Sequence, residues 1–408
     1  MVDGLRRGPL VCVELDGCIP LLTTVKARKT RAMKEDKIRV AVVGLGFGAE
    51  FVPIYLAHPD VASVTICDGN ATRLSGVAER FGIKETFADI GEVIQSEEID
   101  AVHLVSGIPD HAKHALAVMA SGKHCACTVP MATSLEDLQA IVDLQRKSGL
   151  NYMMMETAVY TRPFLYAMEL RDNGEFGRVQ FLRGAHYQDM EGWPPYWAGL
   201  PPMWYATHAI SPLLALAKSR AVKVHCFGSG EMREELRKPY GNPYPVEAAI
   251  FKLESPGLSV EVTRSLYHCA RPYMESFTVY GEDACYEWQM EDEHPMLFRM
   301  SPVVQGQARA LTVERPEPPD RADQLPSSVG RFTKRFVYGE NEKHLSFEQG
   351  GGHHGSHPHM VHEFVRSIVE QRRPWIDAVR AAHWTAAGIC AHQSAMNDGA
   401  GTVIPAFD

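Results

Sequence analysis

The sequence predicts an α/β N-terminal domain with a parallel sheet, followed by an α+β domain with a large open, mostly antiparallel sheet. Three features carry this prediction. From Ile38 to about Glu156, short apolar or β-branched runs alternate with segments of helical spacing, the order that gives parallel strands joined by helical crossovers. Beyond the helix at Pro163–Asn173, extended runs follow one another across turns such as Ser255-Pro-Gly257 and Gly281-Glu-Asp283, the order of an antiparallel sheet. The first strand, from Ile38, also runs straight into a glycine-rich turn, Gly44-Leu-Gly-Phe-Gly-Ala49.

That turn fits the dinucleotide fingerprint G-x-G-x-x-G/A through Gly44, Gly46 and Ala49. Gly44 permits the tight turn, Gly46 lets the backbone approach a pyrophosphate, and Ala49 keeps the following helix close to its strand. The N-terminus of that helix offers free N–H groups to the phosphates. Val61-Ala-Ser-Val-Thr-Ile-Cys-Asp68 then ends in a carboxylate 24 positions after Gly44 (68 − 44), where a Rossmann domain accepts the adenosine ribose hydroxyls. A carboxylate there repels a 2′-phosphate and favours NAD over NADP, although Arg73 nearby works against that choice. Residues 37–157 therefore read as an NAD-binding Rossmann domain.

The remaining elements follow in order. Ala71–Phe81 is a helix ending at Gly82, Thr86–Phe87 a short strand and Ile90–Ser96 a helix. Asp100–Ser106 is a strand, Pro109–Ser121 a helix with Gly122 as its C-cap, and His124–Thr128 a strand. Leu135–Ser148 is a helix and Tyr152–Met155 the last strand of the domain. Residues 158–408 form the second domain, with strands expected at Arg178–Gln188, Val222–Gly228, Val246–Leu253, Leu258–Ser265, Ser276–Gly281 and Ala284–Gln289. Residues 301–352, rich in Pro, Asp, Arg and Gly, read as a long functional loop or a subunit-wrapping arm. Helices at His359–Gln371 and Ala378–Asn397 close the chain.

Composition sets limits on function. The chain has 408 residues, 45% hydrophobic and 22% charged, as an ordinary globular protein does. A net charge of −9 gives no footprint for nucleic acid or an anionic membrane, and no apolar run is long enough to span a bilayer. Nine cysteines without a C-x-x-C pair point to reduced thiols and a cytoplasmic location. Residues 1–36 read as a disordered N-terminal extension. Its basic Lys26–Arg31 stretch follows the apolar run, the wrong order for an export signal.

With Gly44–Ala49, Asp68, Pro109-Asp-His111, Gly122-Lys-His124, Asp172-Asn-Gly-Glu-Phe-Gly177 and the closing Phe364–Pro374 segment in place, the chain resembles the Gfo/Idh/MocA oxidoreductases. The resemblance runs from Ile38 to the C-terminus. It implies NAD(H) bound along Gly44, Gly46, Phe47, Ala49, Asp68, Arg73, Ser106, Pro109, His111, Val129 and Pro130. It also implies a sugar or glycoside substrate, and a homodimer or higher homo-oligomer joined through the exposed face of the antiparallel sheet. Two positions depart from the family pattern. Where the family usually has Glu-Lys-Pro, this chain has Thr128-Val129-Pro130, so the hydroxyl-polarising lysine is absent. Where it commonly has Asp-x-x-x-His, Trp204 stands at the aspartate's place and His208 is kept.

His208 is the leading candidate for general base, because hydride abstraction from a carbinol carbon requires the hydroxyl proton to leave and imidazole titrates in the right range. Tyr205 and Tyr160 are candidates to relay protons, with plain packing as the other reading of each. His186 at a strand end, the aromatic residues Trp193, Trp197 and Trp204, and the loop residues His353, His354 and His357 are candidates to meet the substrate. By resemblance the histidine–glycine loop approaches the nicotinamide, and His353 can stand in for the missing lysine. No carboxylate sits at a convincing ligand spacing to these histidines, so no metal is expected. The lysine-free pattern resembles the branch that oxidises glycosides at the C3 hydroxyl. Two other functions stay open: a redox-neutral glycoside-cleaving enzyme with tightly held NAD(H), and a non-catalytic NAD-binding regulator.

Overall fold

The computed structural model describes residues 37–271, 273–289, 294–334, 336–338, 347–349 and 353–408. The N-terminal extension and residues 350–352 of the glycine run lie outside the described residues.

Six strands build the first sheet: β1 (Ile38–Val43), β2 (Val61–Cys67), β3 (Thr86–Phe87), β4 (Ala101–Leu104), β5 (His124–Thr128) and β6 (Tyr152–Met155). All pair in parallel, in the order β3-β2-β1-β4-β5-β6. β4 and β6 are buried along their whole length, which is why they read as continuous apolar runs rather than alternating ones. The strand order reverses beside β1, and the crevice at the carboxyl ends of β1 and β4 is where such a sheet takes its ligand. Some of the helices between strands are capped by short polar side chains. Asn70 accepts from Arg73 N–H at the start of Ala71–Phe81, and Ser134 accepts from Asp137 N–H at the start of Leu135–Ser148.

The second sheet has nine strands: β7 (Val179–Tyr187), β8 (Ala221–Ser229), β9 (Val246–Leu253), β10 (Ser259–Ser265), β11 (Met274–Gly281), β12 (Ala284–Trp288), β13 (Met296–Met300), β14 (Leu311–Glu314) and, after a separate pair β15 (Phe336–Tyr338) and β16 (Phe347–Gln349), β17 (Thr402–Val403). Its order is β14-β13-β12-β11-β7-β10-β9-β8-β17, with only β7 and β10 parallel. The helices Thr207–Ala217 and Ala378–Met396 cover one face. On the other, Phe227, Ile250, Leu311, Val313 and Val403 are exposed. Among the described residues no helix is long and apolar enough to cross a membrane.

The structure departs from the sequence expectation at one edge of this sheet. β13 falls outside the expected strands, and β14 lies inside the stretch read as a long loop, which also holds short helical turns at Ala322–Gln324, Ser327–Gly330 and Arg331–Thr333. All four residues of β14 are exposed, so an edge strand here has no buried face to impose a period of two on its sequence.

Candidate active site

The crevice begins at Gly44, which leaves β1 with φ at +89°; an added Cβ would stand 2.4 Å from the carbonyl oxygen of Val105. Asp68 Oδ2 accepts from Leu45 N–H at 2.7 Å and from Arg73 Nη1 at 3.2 Å, and Oδ1 accepts from Asn70 N–H at 2.8 Å. The carboxylate expected at the ribose thus also ties the glycine turn to β2. An added Cβ at Gly46 would meet nothing nearer than Arg73 Nη1, at 3.9 Å. The space over Gly46 is open and cation-lined, and it fits a dinucleotide's phosphates. The expected single helix beyond the turn is two short ones, Leu45–Gly48 and Val52–Ala57. The close approach assigned to Ala49 is made at Gly48, where a Cβ would lie 3.1 Å from Val42 and 3.2 Å from Val105, while Ala49 is buried beside it.

His111 joins the loops after β4 and β5. Its Nδ1 faces the carbonyl of Pro130 at 2.7 Å and its Nε2 that of Ser106 at 2.9 Å, around the cis Val129–Pro130 peptide. Pro109 lies in the single turn Ile108–Asp110 that leads into the His111 helix. Val129, at the position of the family lysine, is buried in the core and brings no titrating group.

The chemistry gathers around His208, in the first turn of Thr207–Ala217. Its Nδ1–H donates to Glu156 Oε1 at 2.6 Å, and Nε2 faces the Tyr205 hydroxyl at 3.3 Å. Glu156 follows β6 directly and is fully buried, with Oε1 also accepting from Ala158 N–H at 3.0 Å. A carboxylate on Nδ1 fixes the tautomer and leaves the Nε2 lone pair to act as base. Tyr205 OH is the group that this lone pair meets. Burial pushes the Tyr205 phenol well above its usual range, so it stays a donor.

Beneath these groups, one row runs in register across four strands: Glu247 on β9, Arg264 on β10, His186 on β7 and Glu275 on β11. All four are buried. Arg264 donates to the carbonyls of Tyr205 at 2.9 Å and His186 at 3.0 Å and to Gln188 Oε1 at 3.1 Å, fixing the strand end and the aromatic turn together. Burial and the Arg264 charge hold His186 well below the usual histidine range, so its ring, 5.2 Å from that of His208, is neutral. Glu275 Oε1 lies 3.4 Å from His353 Nδ1 and 3.8 Å from His208 Nδ1, and accepts from Tyr273 OH. Burial works to raise the Glu275 carboxyl, but the imidazoles of His208 and His353 outweigh it and hold it below the usual range.

The histidine loop reaches this cluster. His353 stacks on His208 with ring centroids 5.8 Å apart, and its other neighbours include Phe47 of the glycine turn at 6.2 Å. His353 and His354 hold φ of 48° and 47°, a backbone state that non-glycine residues rarely adopt. His357 packs between Phe47 and Phe51, with Nδ1 3.4 Å from Glu50 Oε2.

The other expected site residues divide. Trp197 stands edge-on to Tyr205 at 4.8 Å, and the half-exposed Trp193 edge-on to Trp197 at 6.3 Å, so an aromatic path leads from the surface to His208. Trp204 turns away, against Tyr240 and His392, and His354 packs on Trp288. Tyr160 is not brought to His208. Its ring stands on Trp375 at 5.6 Å, and its buried hydroxyl has no hydrogen-bond partner. Tyr160→Phe is therefore expected to leave turnover within about twofold and thermal stability unchanged or slightly higher, since it removes an unpaired buried hydroxyl. Kinetics and a melting curve check both. Sequence reasoning did not find Glu156, Thr157, Glu275, Tyr273 or Arg264. Among the described residues no group of three or more His, Cys, Asp and Glu side chains is arranged to hold a metal ion.

Several buried or half-buried histidines are expected to make the fold acid-labile. Burial is the leading cause that holds His58 to about 4, His103 to about 3 and His124 to about 4, against a usual 6.5. In the unfolded chain they return to 6.5, so below that pH the unfolded state takes up protons that the folded state refuses. Stability is fully present above the unfolded pKa and declines as pH falls toward the folded values. The melting temperature is expected to be level near about pH 7.5 and to drop steadily from about 6.5 to about 4; a flat profile over that window contradicts this assignment.

Residues 38–156 match the Gfo/Idh/MocA family profile, an oxidoreductase family with an NAD-binding Rossmann fold. A glycosyl hydrolase family 109 protein from Saccharopolyspora erythraea is 24% identical over 51% of this chain and 52% of its own length. Another, from Streptomyces niveus, is 24% identical over 92% of this chain and 78% of its own length. The chain spans about half the length of several curated relatives that it matches. Among solved structures, levoglucosan dehydrogenase in complex with NADH and levoglucosan superposes with a TM-score of 0.72 at 19% identity, over 90% of this chain and 100% of that one.

Proposed function

We propose that this chain, a member of the Gfo/Idh/MocA oxidoreductases by its NAD-binding domain, oxidises a ring hydroxyl of a sugar or glycoside, at C3. The observation that carries this reading is the line Glu156, His208, Tyr205 at the carboxyl end of β6, with the carboxylate 2.6 Å from Nδ1. Gly44, Gly46, Asp68, Arg73 and the His111-braced loops would hold NAD+, which supplies the hydride acceptor when bound. His208 Nε2 takes the proton of the substrate hydroxyl, Tyr205 OH holds that oxygen in place, and Glu156 and Glu275 stabilise the imidazolium that forms. Trp197 and Trp193 offer aromatic faces to the apolar side of a pyranose ring. The fold likeness to levoglucosan dehydrogenase and the glycosyl hydrolase names of two relatives support a carbohydrate substrate. Self-association through the outer face of the second sheet, where Phe227 and Ile250 stand exposed, belongs to the same reading.

The glycosyl hydrolase names favour a second reading, in which transient oxidation acidifies the neighbouring C–H, elimination expels the aglycone and the hydride returns. Incubation with NAD+ and a panel of methyl and p-nitrophenyl α- and β-glucosides separates the two. NADH formation with a sugar product two mass units lighter supports oxidation. Aglycone release without net NADH supports cleavage. NAD+ binding without turnover of any panel member rules out both.

A further inference from the structure

We propose that Glu247, seated on His392, is a positioning residue for the oxidation: it fixes the turn Pro202–Tyr205 and thereby the place of the Tyr205 hydroxyl. The proposal rests on the reading of Tyr205 as the group that holds the substrate oxygen, and it names what holds Tyr205. The sequence sets the need. Pro201 and Pro202 have no N–H to donate, so Met203 N–H is the first donor of the turn, and at a helix start such a group has no partner within its own helix. Met203 is fully buried, which makes an unpaired N–H costly. Glu247 Oε2, reaching over from β9, accepts from it at 2.8 Å.

Glu247 is itself fully buried, and its other oxygen, Oε1, lies 2.7 Å from Nδ1 of His392 on the helix Ala378–Met396. One turn earlier on that helix, a Cβ added at Gly388 would stand 2.1 Å from the carbonyl oxygen of Met203, so turn and helix meet backbone to backbone. The Trp204 ring stands edge-on to His392 in the same contact, at 5.8 Å. The far end of the turn is held by the neighbour of Glu247 in the sheet. Arg264, paired with it in register, donates from Nε to the carbonyl of Tyr205 at 2.9 Å, and its guanidinium lies 5.4 Å from the centroid of the Tyr205 ring. One buried carboxylate and one buried guanidinium, side by side on β9 and β10, thus take the two ends of one four-residue turn.

A buried polar set of this kind is a poor source of stability beside apolar side chains of the same volume. Its bonds go instead to the segment that ends in Tyr205. His208, three residues on, has its own anchor in Glu156 at 2.6 Å, so the grip on the turn falls on Tyr205, whose hydroxyl stands 3.3 Å from His208 Nε2. Misplacement by about 1 Å in such a site costs up to about 10²-fold in rate.

Glu247→Met keeps the volume and removes both acceptors. Glu247→Asp keeps the carboxylate but is one methylene too short to reach Met203 and His392 together. Glu247→Gln can still accept from Met203 N–H while its amide donates to His392 Nδ1 in the other tautomer. In the full-length protein, with NAD+ and the panel glucoside that the unaltered protein turns over fastest, kcat per NAD+-binding site is expected to fall about tenfold or more in Glu247→Met and Glu247→Asp and to stay within about threefold in Glu247→Gln. KM and NAD+ binding should change little. In a Tyr205→Phe background the first two substitutions should cost less than about threefold further, because the hydroxyl they displace is already gone. A role in stability alone would lower the melting temperature and leave kcat per site intact. An undiminished kcat per site in Glu247→Met or Glu247→Asp, a loss that Glu247→Gln shares, or a loss that persists in full beside Tyr205→Phe overturns the proposal. If the unaltered protein turns over no glucoside, the oxidation reading fails, and the hold on the turn is judged by amide hydrogen exchange over residues 203–206. Acceleration of about tenfold or more in Glu247→Asp but not in Glu247→Gln supports it, and equal exchange in both variants and the unaltered protein overturns it.

Discussion

His208→Ala is expected to lower NADH formation by about 10²–10⁴-fold while leaving NAD+ binding intact, the range that a positioned general base contributes. The side chain is nearly buried, so its loss also opens a cavity beside Glu156 and Glu275. His208→Asn is the cleaner comparison, because its amide keeps a donor for Glu156 and offers no base. Glu156→Gln separates the two duties of the pair. The amide cannot hold Nδ1–H as the carboxylate does at 2.6 Å, so the wrong tautomer is populated and kcat falls although the imidazole remains. The expected order of activity is unaltered protein, then Glu156→Gln, then His208→Asn. Full turnover in His208→Asn would sink the assignment of the base, and full turnover in Glu156→Gln the role of the carboxylate.

The parts legible in the sequence are those with local signatures. The Rossmann half announces itself because buried parallel strands are continuous apolar runs and because Gly44 and Asp68 have a fixed spacing that the structure keeps, with Asp68 bonded to Leu45 N–H. The sequence also singles out His208, Tyr205 and His353, which the structure brings side by side, the first through its helix and the last through its glycine-rich loop. Glu156 could have been found: it directly follows β6, at the carboxyl edge of a parallel sheet where ligands collect. Glu275 and Arg264 had no such signal. They meet His186 only through the register of β11 and β10 against β7, a relation between segments about 80 residues apart that no window of sequence holds. Tyr160 misled for a related reason. It lies three residues beyond Thr157, yet the intervening turn Thr157–Val159 rotates its ring onto Trp375.

Gly44→Ala and Gly46→Ala are expected to fail in different ways, and the difference tests the cofactor site. At Gly44 a side chain faces two penalties. The φ of +89° costs an L-residue about 1–3 kcal/mol. The Cβ would also stand 2.4 Å from Val105 O and 2.7 Å from its carbonyl carbon, so the end of β4 must move, at roughly a further 1–3 kcal/mol. Together these approach half of the ~5–15 kcal/mol that holds a typical domain folded. Gly44→Ala should therefore melt well below the unaltered protein even without NAD+. At Gly46 the space is open to 3.9 Å, so Gly46→Ala should melt as the unaltered protein does when no cofactor is added. Its methyl group instead occupies the volume that a pyrophosphate needs, and the upward shift in melting temperature with saturating NAD+ should shrink or vanish; a ligand at about 100 times its Kd otherwise adds about 2.7 kcal/mol. Thermal melts of both variants with and without NAD+ make the comparison. A full NAD+ shift in Gly46→Ala would place the phosphates elsewhere, and an unperturbed melt of Gly44→Ala would mean that the loop after β4 yields far more easily than its packing implies.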